Sequence, residues 1–293
     1  MKKNREGLVA VLFFSPFAIL FILFTIVPVV TALILSCTTY SVLQTPIFVG
    51  LDNYKHLFTQ DDFFVTALKN TMVFALFSGP IGYIVSFIVA WCIDTLKFKK
   101  FFALAFYAPS ITSGIAMSVI WLYFFSPDKF GLVNNALINF GFIDKPILWT
   151  QDPSKILIIV VIVSVWMSMG NGFLAFLAGF QNMSKEVFEA GQMDGISNKF
   201  QELIYLIIPM MKPMLLYGAI ITIVGAFSIY DIPLTLAGSP GPDNAGLTIV
   251  GHLNDYSFAR MDLGYACAIA VILFAMTFII GRIIFKVLES KDE

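Results

Sequence analysis

Long apolar stretches without a single Asp, Glu, Lys or Arg constrain this chain more than any other feature. Six of them recur along the sequence, and they are roughly Leu8–Thr38, Thr71–Ile93, Phe101–Phe125, Ile156–Phe180, Met214–Tyr230 and Gly264–Gly281. A helix needs about 20 apolar residues to cross a hydrocarbon core of about 30 Å. Barrel strands alternate in polarity over about 10 residues, which these stretches do not. The sequence therefore predicts an all-α, polytopic membrane protein with six transmembrane helices.

The composition excludes several other classes of protein. The chain is 58% hydrophobic and 13% charged, whereas a soluble domain has about 45–50% apolar and about 25% charged residues. The 18 basic and 19 acidic residues nearly cancel, so there is no basic face for nucleic acid. Three cysteines, all inside apolar runs, and two histidines indicate neither a disulfide framework nor a metal site.

The lysines and arginines predict how the chain is oriented in the membrane. With the N-terminus inside, the cytoplasmic segments hold 12 of the 18 basic residues and the outer segments hold six. This excess on the inner side follows the positive-inside rule. We therefore expect a plasma-membrane protein with both termini on the cytoplasmic side.

The basic N-terminus followed by an apolar run also resembles a signal peptide. A signal core has about 7–15 apolar residues, whereas the uncharged stretch here runs from Gly7 to Leu51. Leu35-Ser36-Cys37 resembles a lipoprotein cleavage site but lies deep in that stretch. An uncleaved first span is the favoured interpretation.

One inner loop, at about 181–213, differs from the others. Ser184 can cap a helix N-terminus, and Glu186 then lies in the first turn, where the helix dipole favours a negative charge. Gly195 can adopt the positive φ that ends such a helix, and Ser197 can cap a second helix. The residues predict a helix, a turn and a helix just inside the membrane. They leave open whether this unit docks into a partner or merely lies in the lipid headgroups.

The same loop resembles the E-A-A motif of membrane subunits of bacterial ABC importers, whose pattern is E-A-A-x-x-D-G-A followed by I-x-L-P. Glu189, Ala190, Asp194, Gly195 and Pro209 stand at matching positions, while Gly191 and Ile196 each replace an alanine. Further similarity covers essentially the whole chain, with Trp166, the segment 227–231, the Gly/Pro-rich segment 238–242 and the segment 264–266 resembling carbohydrate permeases of the maltose type. The resemblance implies a type I ABC importer transmembrane domain.

The resemblance also implies a division of the chain and a set of partners. Residues 1–66 would hold a cytoplasmic tip, the first span and the first outer loop, residues 67–286 the transporter core, and residues 287–293 a tail. The E-A-A loop would seat in a separate ATPase subunit through Glu186, Glu189, Ala190, Gly191, Asp194 and Gly195. The expected partners are a second permease, two ATPase subunits, an extracytoplasmic sugar-binding protein and membrane lipid.

No enzymatic role is expected of this chain itself. It has no G-x-x-x-x-G-K-[ST] phosphate loop, which an ATP site of that kind requires. We therefore expect it to carry no cofactor, and ATP and Mg²⁺ to be bound by the partner ATPase.

Candidate substrate residues are polar or small residues within two spans. Polar groups at membrane depth usually face the bundle interior or an aqueous cavity. By position in the resemblance, the candidates are Ser164, Ser168, Asn171, Gly225, Ser228 and Tyr230, with Trp166 and Phe227 as further aromatic candidates. The alternative is that these small residues only allow close helix packing. Asp231 is either a ligand or partner contact or a solvated helix end.

Three functional hypotheses remain from the sequence. The favoured one is a permease subunit of an ATP-driven importer of di- or oligosaccharides, with an importer of a polyol or glycerol phosphate as the alternative within the same class. A secondary transporter acting alone would need titratable groups inside spans, and a membrane enzyme would need paired catalytic groups there. The spans contain almost none of either, which favours the importer.

Overall fold

The computed structural model describes residues 2–42, 44–238 and 240–289, with the side chains of residues 2–10, 171 and 289 outside that description. The structure is helical over 75% of the chain. The α-helices are α1 (Lys2–Phe21), α2 (Val27–Leu35), α3 (Asp52–Thr59), α4 (Asp62–Asp94), α5 (Lys99–Ile111), α6 (Gly114–Phe124), α7 (Leu132–Asn139), α8 (Pro153–Met167), α9 (Asn171–Gln181), α10 (Lys185–Met193), α11 (Lys199–Glu202), α12 (Ile208–Met210), α13 (Lys212–Phe227), α14 (Asp231–Ala237), α15 (Ile249–Asn254) and α16 (Leu263–Glu289).

Other elements in the described residues are short. Three π-helical segments (Ile22–Ile26, Leu203–Ile207 and Asp255–Ala259) continue neighbouring helices, and a 3₁₀ turn covers Pro242–Asn244. The strands β1 (Thr38–Thr39) and β2 (Ile47–Phe48) form an antiparallel pair, with Thr38 opposite Phe48. The sequence analysis predicts helices alone, and this two-residue ladder was not anticipated.

The helices long and apolar enough to cross a membrane match the predicted spans in part. Four are Val11–Leu35, Asp62–Asp94, Pro153–Gln181 and Leu263–Leu288, and two further candidates are pairs of helices joined by sharp bends. The structure therefore supports a multi-pass membrane protein with four to six spans. Six is reached when each bent pair counts as one span.

The two bends have local causes. The pair α5 and α6 meets at 97°, where Pro109 lies in the last turn of α5 and Thr112 is extended (φ −86°, ψ 150°). The pair ending at Met210 and beginning at Lys212 bends by 79°, next to Pro209 and Pro213. Proline removes a backbone donor and clashes with the preceding turn, so a helix bends or ends there.

Helix α4 begins at Asp62, nine positions before the predicted span. The predicted span begins only at Thr71, after the charged residue Lys69. Lys69 and Asn70 instead continue the helix, and α3 precedes it. A charged residue indicates the end of the apolar stretch, but a helix can continue beyond it.

The described residues form two compact units. One contains the residues up to Asp62 together with His252–Ala275, and the other contains Phe63–Gly251 and the residues from Met276 onward. The division at 66 and 286 stays a prediction, and part of the predicted tail, residues 290–293, lies outside the description.

In the larger unit, aromatic side chains of α9 pack against α4. Phe173 and Phe176 are buried, and the Phe176 ring meets the rings of Tyr83 and Phe87 edge-on, with centroids 5.5 Å apart in each case. The Tyr83 hydroxyl donates to the Leu215 carbonyl at 3.2 Å. These contacts hold α4, α9 and α13 together around the cavity described below.

The smaller unit is held by a buried polar network that the sequence analysis did not anticipate. The Asp61 carboxylate Oδ2 lies 2.9 Å from His252 Nε2 and accepts a hydrogen bond from the Tyr265 hydroxyl at 2.8 Å. His56 Nδ1 lies 3.0 Å from the same hydroxyl. Burial, together with the charge of Asp61, raises the pKa of the Tyr256 phenol, whose ring packs on Tyr265. The network joins α3, α15 and the start of α16.

Candidate functional site

A cavity of about 280 Å³ lies inside the larger unit. Its walls come from α4, from α13 and from the break between α8 and α9. The lining residues are Phe74, Ser78, Ser164, Met167, Ser168, Gly170, Gly172, Ile221, Thr222, Gly225, Ala226, Ile229 and Ile232. Every one of these side chains is uncharged.

Close helix packing sets the shape of this cavity. A Cβ built on Gly82 would lie 2.8 Å from Ser168 Oγ, so α4 approaches the end of α8 at glycine. A Cβ on Gly172 would lie 3.8 Å from Gly218 Cα, so α9 and α13 approach through two glycines. Small residues permit such approaches between membrane helices.

Two hydroxyl groups at the cavity wall are buried without a hydrogen-bond partner among the described residues. They are Ser78 Oγ on α4 and Ser164 Oγ on α8. The other two lining hydroxyls are satisfied within their own helices, since Ser168 donates to the Val165 carbonyl at 2.7 Å and Thr222 to the Gly218 carbonyl at 2.8 Å. A buried polar group without a partner costs about 1–3 kcal/mol. Ser78 and Ser164 are therefore the lining residues whose hydrogen-bonding capacity is unused within the described structure.

The predicted substrate residues are only partly brought together. Ser164, Ser168 and Gly225 line the cavity. Asn171 begins α9 between two lining glycines, but its side chain lies outside the described residues. Ser228 does not line this cavity, and Tyr230 lines a separate small cleft with Pro233 and Leu234.

Two polar lining residues, Ser78 and Thr222, were missed by the sequence analysis. Phe74, Ser78 and Gly82 recur every four residues on α4, and Thr222 lies four residues after Gly218. A small-and-polar stripe at helical spacing was the signal that could have found them. Phe74 is the aromatic residue of the cavity wall. Trp166, an aromatic candidate from the sequence, packs instead on Trp121, with ring centroids 5.2 Å apart.

Asp231 lies at a helix start. A Cβ built on Gly114, the first residue of α6, would lie 3.3 Å from Asp231 Oδ2. The carboxylate thus sits at the N-terminal end of α6 as well as in the first turn of α14. Both helix dipoles favour a negative charge there, which agrees with the helix-end interpretation.

The inner loop has the helix–turn–helix form that the sequence predicts. Helix α10 follows Ser184, whose backbone is extended (φ −75°, ψ 141°) and whose hydroxyl makes no capping bond. Glu186 lies in the first turn, and Gly195 has φ +95°. The prediction that Ser197 caps the second helix is wrong. Asn198 is the N-cap, and its Oδ1 accepts a hydrogen bond from the backbone N–H of Gln201 at 2.8 Å.

One face of α10 is open to solvent. Glu186, Glu189, Ala190 and Met193 recur at i, i+3, i+4 and i+7 and are all exposed, so they share a face. Met193 is 88% exposed. Gly191 is buried on the opposite side, where a Cβ would lie 2.8 Å from Leu206 Cδ1. The helix therefore presents two carboxylates and one large apolar side chain outward.

Two known permeases are similar in sequence to this chain along most of their length. No protein-family model matches the chain. The chain is 32% identical to the probable ABC transporter permease protein YesP of Bacillus subtilis (strain 168), over 100% of this chain and 97% of that one. It is 30% identical to the arabinooligosaccharides transport system permease protein AraP of the same organism, over 95% and 88%.

A solved structure shares the fold. A chain of the bacterial alginate ABC transporter, in complex with an alginate pentasaccharide-bound periplasmic protein, superposes with a TM-score of 0.81. The match covers 99% of this chain and 96% of that chain at 18% sequence identity. The apolar helices, together with the YesP and AraP relatives, define a multi-pass membrane permease. The chain belongs to the family of sugar ABC transporter permeases.

Proposed function

We propose that this chain is the permease subunit of an ATP-driven importer of neutral di- or oligosaccharides, and that it forms half of the translocation pathway. The observation that carries the proposal is the uncharged cavity whose wall holds the unpaired hydroxyls of Ser78 and Ser164. A sugar offers hydroxyls to such groups and an apolar ring face to Phe74. The name of AraP, an arabinooligosaccharide permease, supports the same class of substrate.

The absence of charge in the described cavity wall separates neutral sugars from other solutes. A phosphate or carboxylate group needs cationic or multiple donor partners to offset its lost hydration. The described lining residues include no Lys, Arg or His. They include no Asp or Glu either, which an ion-coupled transporter acting alone would use.

Energy would reach this cavity through the inner loop, residues 181–213. In this proposal Glu186, Glu189, Ala190, Asp194 and Gly195 form the surface that couples to a separate ATPase subunit, which binds ATP and Mg²⁺. The buried Gly191 supports that surface from behind by letting α10 pack against Leu206. The open carboxylate face of α10 and the turn at Gly195 support this role. Rigid-body rocking of helices against a second permease would then alternate access to the cavity.

The remaining partners and the orientation complete the proposal. An extracytoplasmic sugar-binding protein would deliver the substrate, as a periplasmic protein accompanies the alginate transporter. Both termini would lie in the cytoplasm, as the excess of basic residues on that side predicts.

Co-purification from the native membrane is the experiment that tests the assembly. Tagged chain should recover an ATPase, a second permease and a binding protein, and Glu189→Lys should remove the ATPase. The sugar bound to the binding protein then identifies the substrate. A chain that purifies alone and transports without ATP would overturn the proposal.

Serine variants test the cavity. In proteoliposomes with the whole complex, Ser78→Ala and Ser164→Ala should each lower the transport rate about fivefold, because each removes a hydrogen bond to the substrate worth roughly 1 kcal/mol. Ser118→Ala is the matched control, since this buried serine donates within its own helix to the Gly114 carbonyl at 2.7 Å. Equal transport by all three variants would remove the cavity from the pathway.

A further inference from the structure

A second cavity, of about 250 Å³, is lined by residues of α10, of the turn after it and of α11. Phe188, Ile196 and Leu206 provide its apolar part, while Gln192 and Glu202 are among its polar residues. Helical residues are rotated by about 100° each, which places Gln192 beside Glu189 and Phe188 farther round the helix, toward the buried Gly191. A partner docked on the open face therefore meets the cavity at its Gln192 side.

The carboxylate of Glu202 is the unusual group in this cavity. Its side chain is only 20% exposed, and its partner is Lys199 Nζ at 2.7 Å, whose own side chain is 71% exposed. A long, exposed lysine loses conformational entropy when held in one such pair, so exposed pairs contribute little. A cation supplied from outside can therefore replace Lys199 at Glu202 at small cost.

The neighbouring polar groups are already engaged within the chain. Ser197 N donates to Gln201 Oε1 at 3.0 Å, and Asn198 Oδ1 accepts from the Gln201 amide. These bonds fix the rim of the cavity around the second helix. Glu202 is thus a charged group at a preformed space whose apolar residues are Phe188, Ile196 and Leu206.

We propose that this cavity, which we call the Glu202 pocket, receives one long basic side chain of the partner ATPase, whose cation pairs with Glu202 in place of Lys199. The inference rests on the proposed function and adds a second point of recognition to it. Charge complementarity supports the assignment, because segment 185–202 carries four carboxylates and two lysines. The aliphatic stem of an arginine or lysine would cover Phe188, Ile196 and Leu206 while its charged head reaches the carboxylate.

Two substitutions in the same salt bridge test the proposal, because the proposal predicts that they change the Kd for the ATPase in opposite directions. The permease complex is placed in lipid nanodiscs, the co-purifying ATPase is removed and titrated back, and its Kd is measured. Glu202→Gln should raise the Kd about tenfold, since it leaves the partner's cation without its counter-charge. Lys199→Met should lower the Kd, because it removes the competing cation.

Controls separate this inference from a structural role and from failure of the proposed function. The salt bridge between Lys99 and Asp94, at 3.1 Å, has comparable exposure on the same predicted side, and neither Asp94→Asn nor Lys99→Met should change the Kd. If Glu202→Gln and Lys199→Met weaken binding equally, or if neither changes it, the Glu202 pocket is not a recognition site. Wild-type chain that binds no ATPase overturns the proposed function itself, whereas binding that is lost in Glu189→Lys but unchanged in Glu202→Gln overturns only this inference.

Discussion

Ile196 occupies the space that a side chain at position 191 would need. A Cβ built on Gly191 would lie 3.2 Å from Ile196 Cδ1 and 2.8 Å from Leu206 Cδ1. These are the two positions at which the loop departs from the E-A-A pattern, each replacing an alanine. The departures are therefore complementary, because the smaller residue on α10 makes room for the larger one after the turn.

This relationship predicts a coupled effect of two substitutions. Gly191→Ala alone should destabilise the loop by about 1 kcal/mol, since crowding (~1–3 kcal/mol) exceeds the gain in helix propensity of about 1 kcal/mol. With Ile196→Ala, the crowded atom is gone and Leu206 can turn into the space, so Gly191→Ala should become neutral or stabilising. Thermal unfolding of the single and double variants in nanodiscs measures the coupling. Strictly additive effects would show that the two positions are independent.

The turn after α10 should depend on the backbone of Gly195 alone. Its φ is +95°, and no heavy atom lies within 4 Å of an added Cβ. Gly195→Ala should therefore destabilise the loop by about 1–2 kcal/mol through backbone strain, and Gly195→Asn should cost less, because asparagine tolerates left-handed conformations better.

Gly281 on α16 is the matched control for Gly195, because its added Cβ would also meet nothing within 4 Å. Its conformation is helical, so Gly281→Ala should stabilise by up to about 1 kcal/mol. Shifts of the same sign in the unfolding temperatures of the two alanine variants would contradict the backbone explanation.

The sequence predicts those parts of this molecule that depend on local pattern. Charge-free stretches locate the four continuous spans, and the capping and turn residues of segment 184–198 locate α10 and the bend at Gly195. Local sequence pattern does not predict contacts between residues that are far apart in the chain. Asp61 and His252 are separated by 191 positions, so their pairing has no local signal, and Ser78 looks like any small residue on a span until α8 faces it.

Asn134, in the segment between α6 and α8, is another residue whose contacts have no local signal in the sequence. The residue is fully buried. Its Nδ2 shares its two hydrogens among the carbonyls of Ser126, Asp128 and Ile147, at 3.0–3.1 Å, and its Oδ1 accepts from Ile147 N and Trp149 Nε1. An asparagine in a polar segment looks solvated in the sequence, because the groups that bury it follow 13 and 15 residues later.

Removal of this side chain should loosen the whole segment. Asn134→Ala leaves several buried backbone groups unpaired, so we expect a loss of about 3 kcal/mol of local stability and faster hydrogen–deuterium exchange across residues 126–150. Asn135→Ala is the control, since Asn135 is exposed and makes only exposed bonds, one of 3.5 Å to the Lys129 carbonyl and one of 2.9 Å from Asn139 Nδ2. Unchanged exchange in Asn134→Ala would show that other contacts hold the segment.

The start of α8 should respond to acid through Asp152. The Lys155 ammonium, with the hydroxyl and the backbone N–H of Ser154, lowers the pKa of Asp152 from 3.8 to about 2. A carboxyl group whose pKa is lowered by folding stabilises the folded state above its unfolded pKa, and this contribution is lost as the pH falls through the folded value. Protection of the Ser154 amide, which donates to Asp152 Oδ1 at 2.9 Å, should therefore persist at pH 4 and fall as the pH approaches 2.

A lysine variant tests the cause of that shift. Lys155→Met removes the largest contribution, so the pKa of Asp152 should return toward 3.8 and the protection of Ser154 should be lost at a higher pH than in the wild type. Lys145→Met, in the same segment, should leave the pH dependence unchanged. Exchange measured between pH 2 and 5 on the complex in nanodiscs gives the midpoints. If the midpoint in Lys155→Met equals that of the wild type, the backbone and hydroxyl of Ser154 alone hold the carboxylate charged.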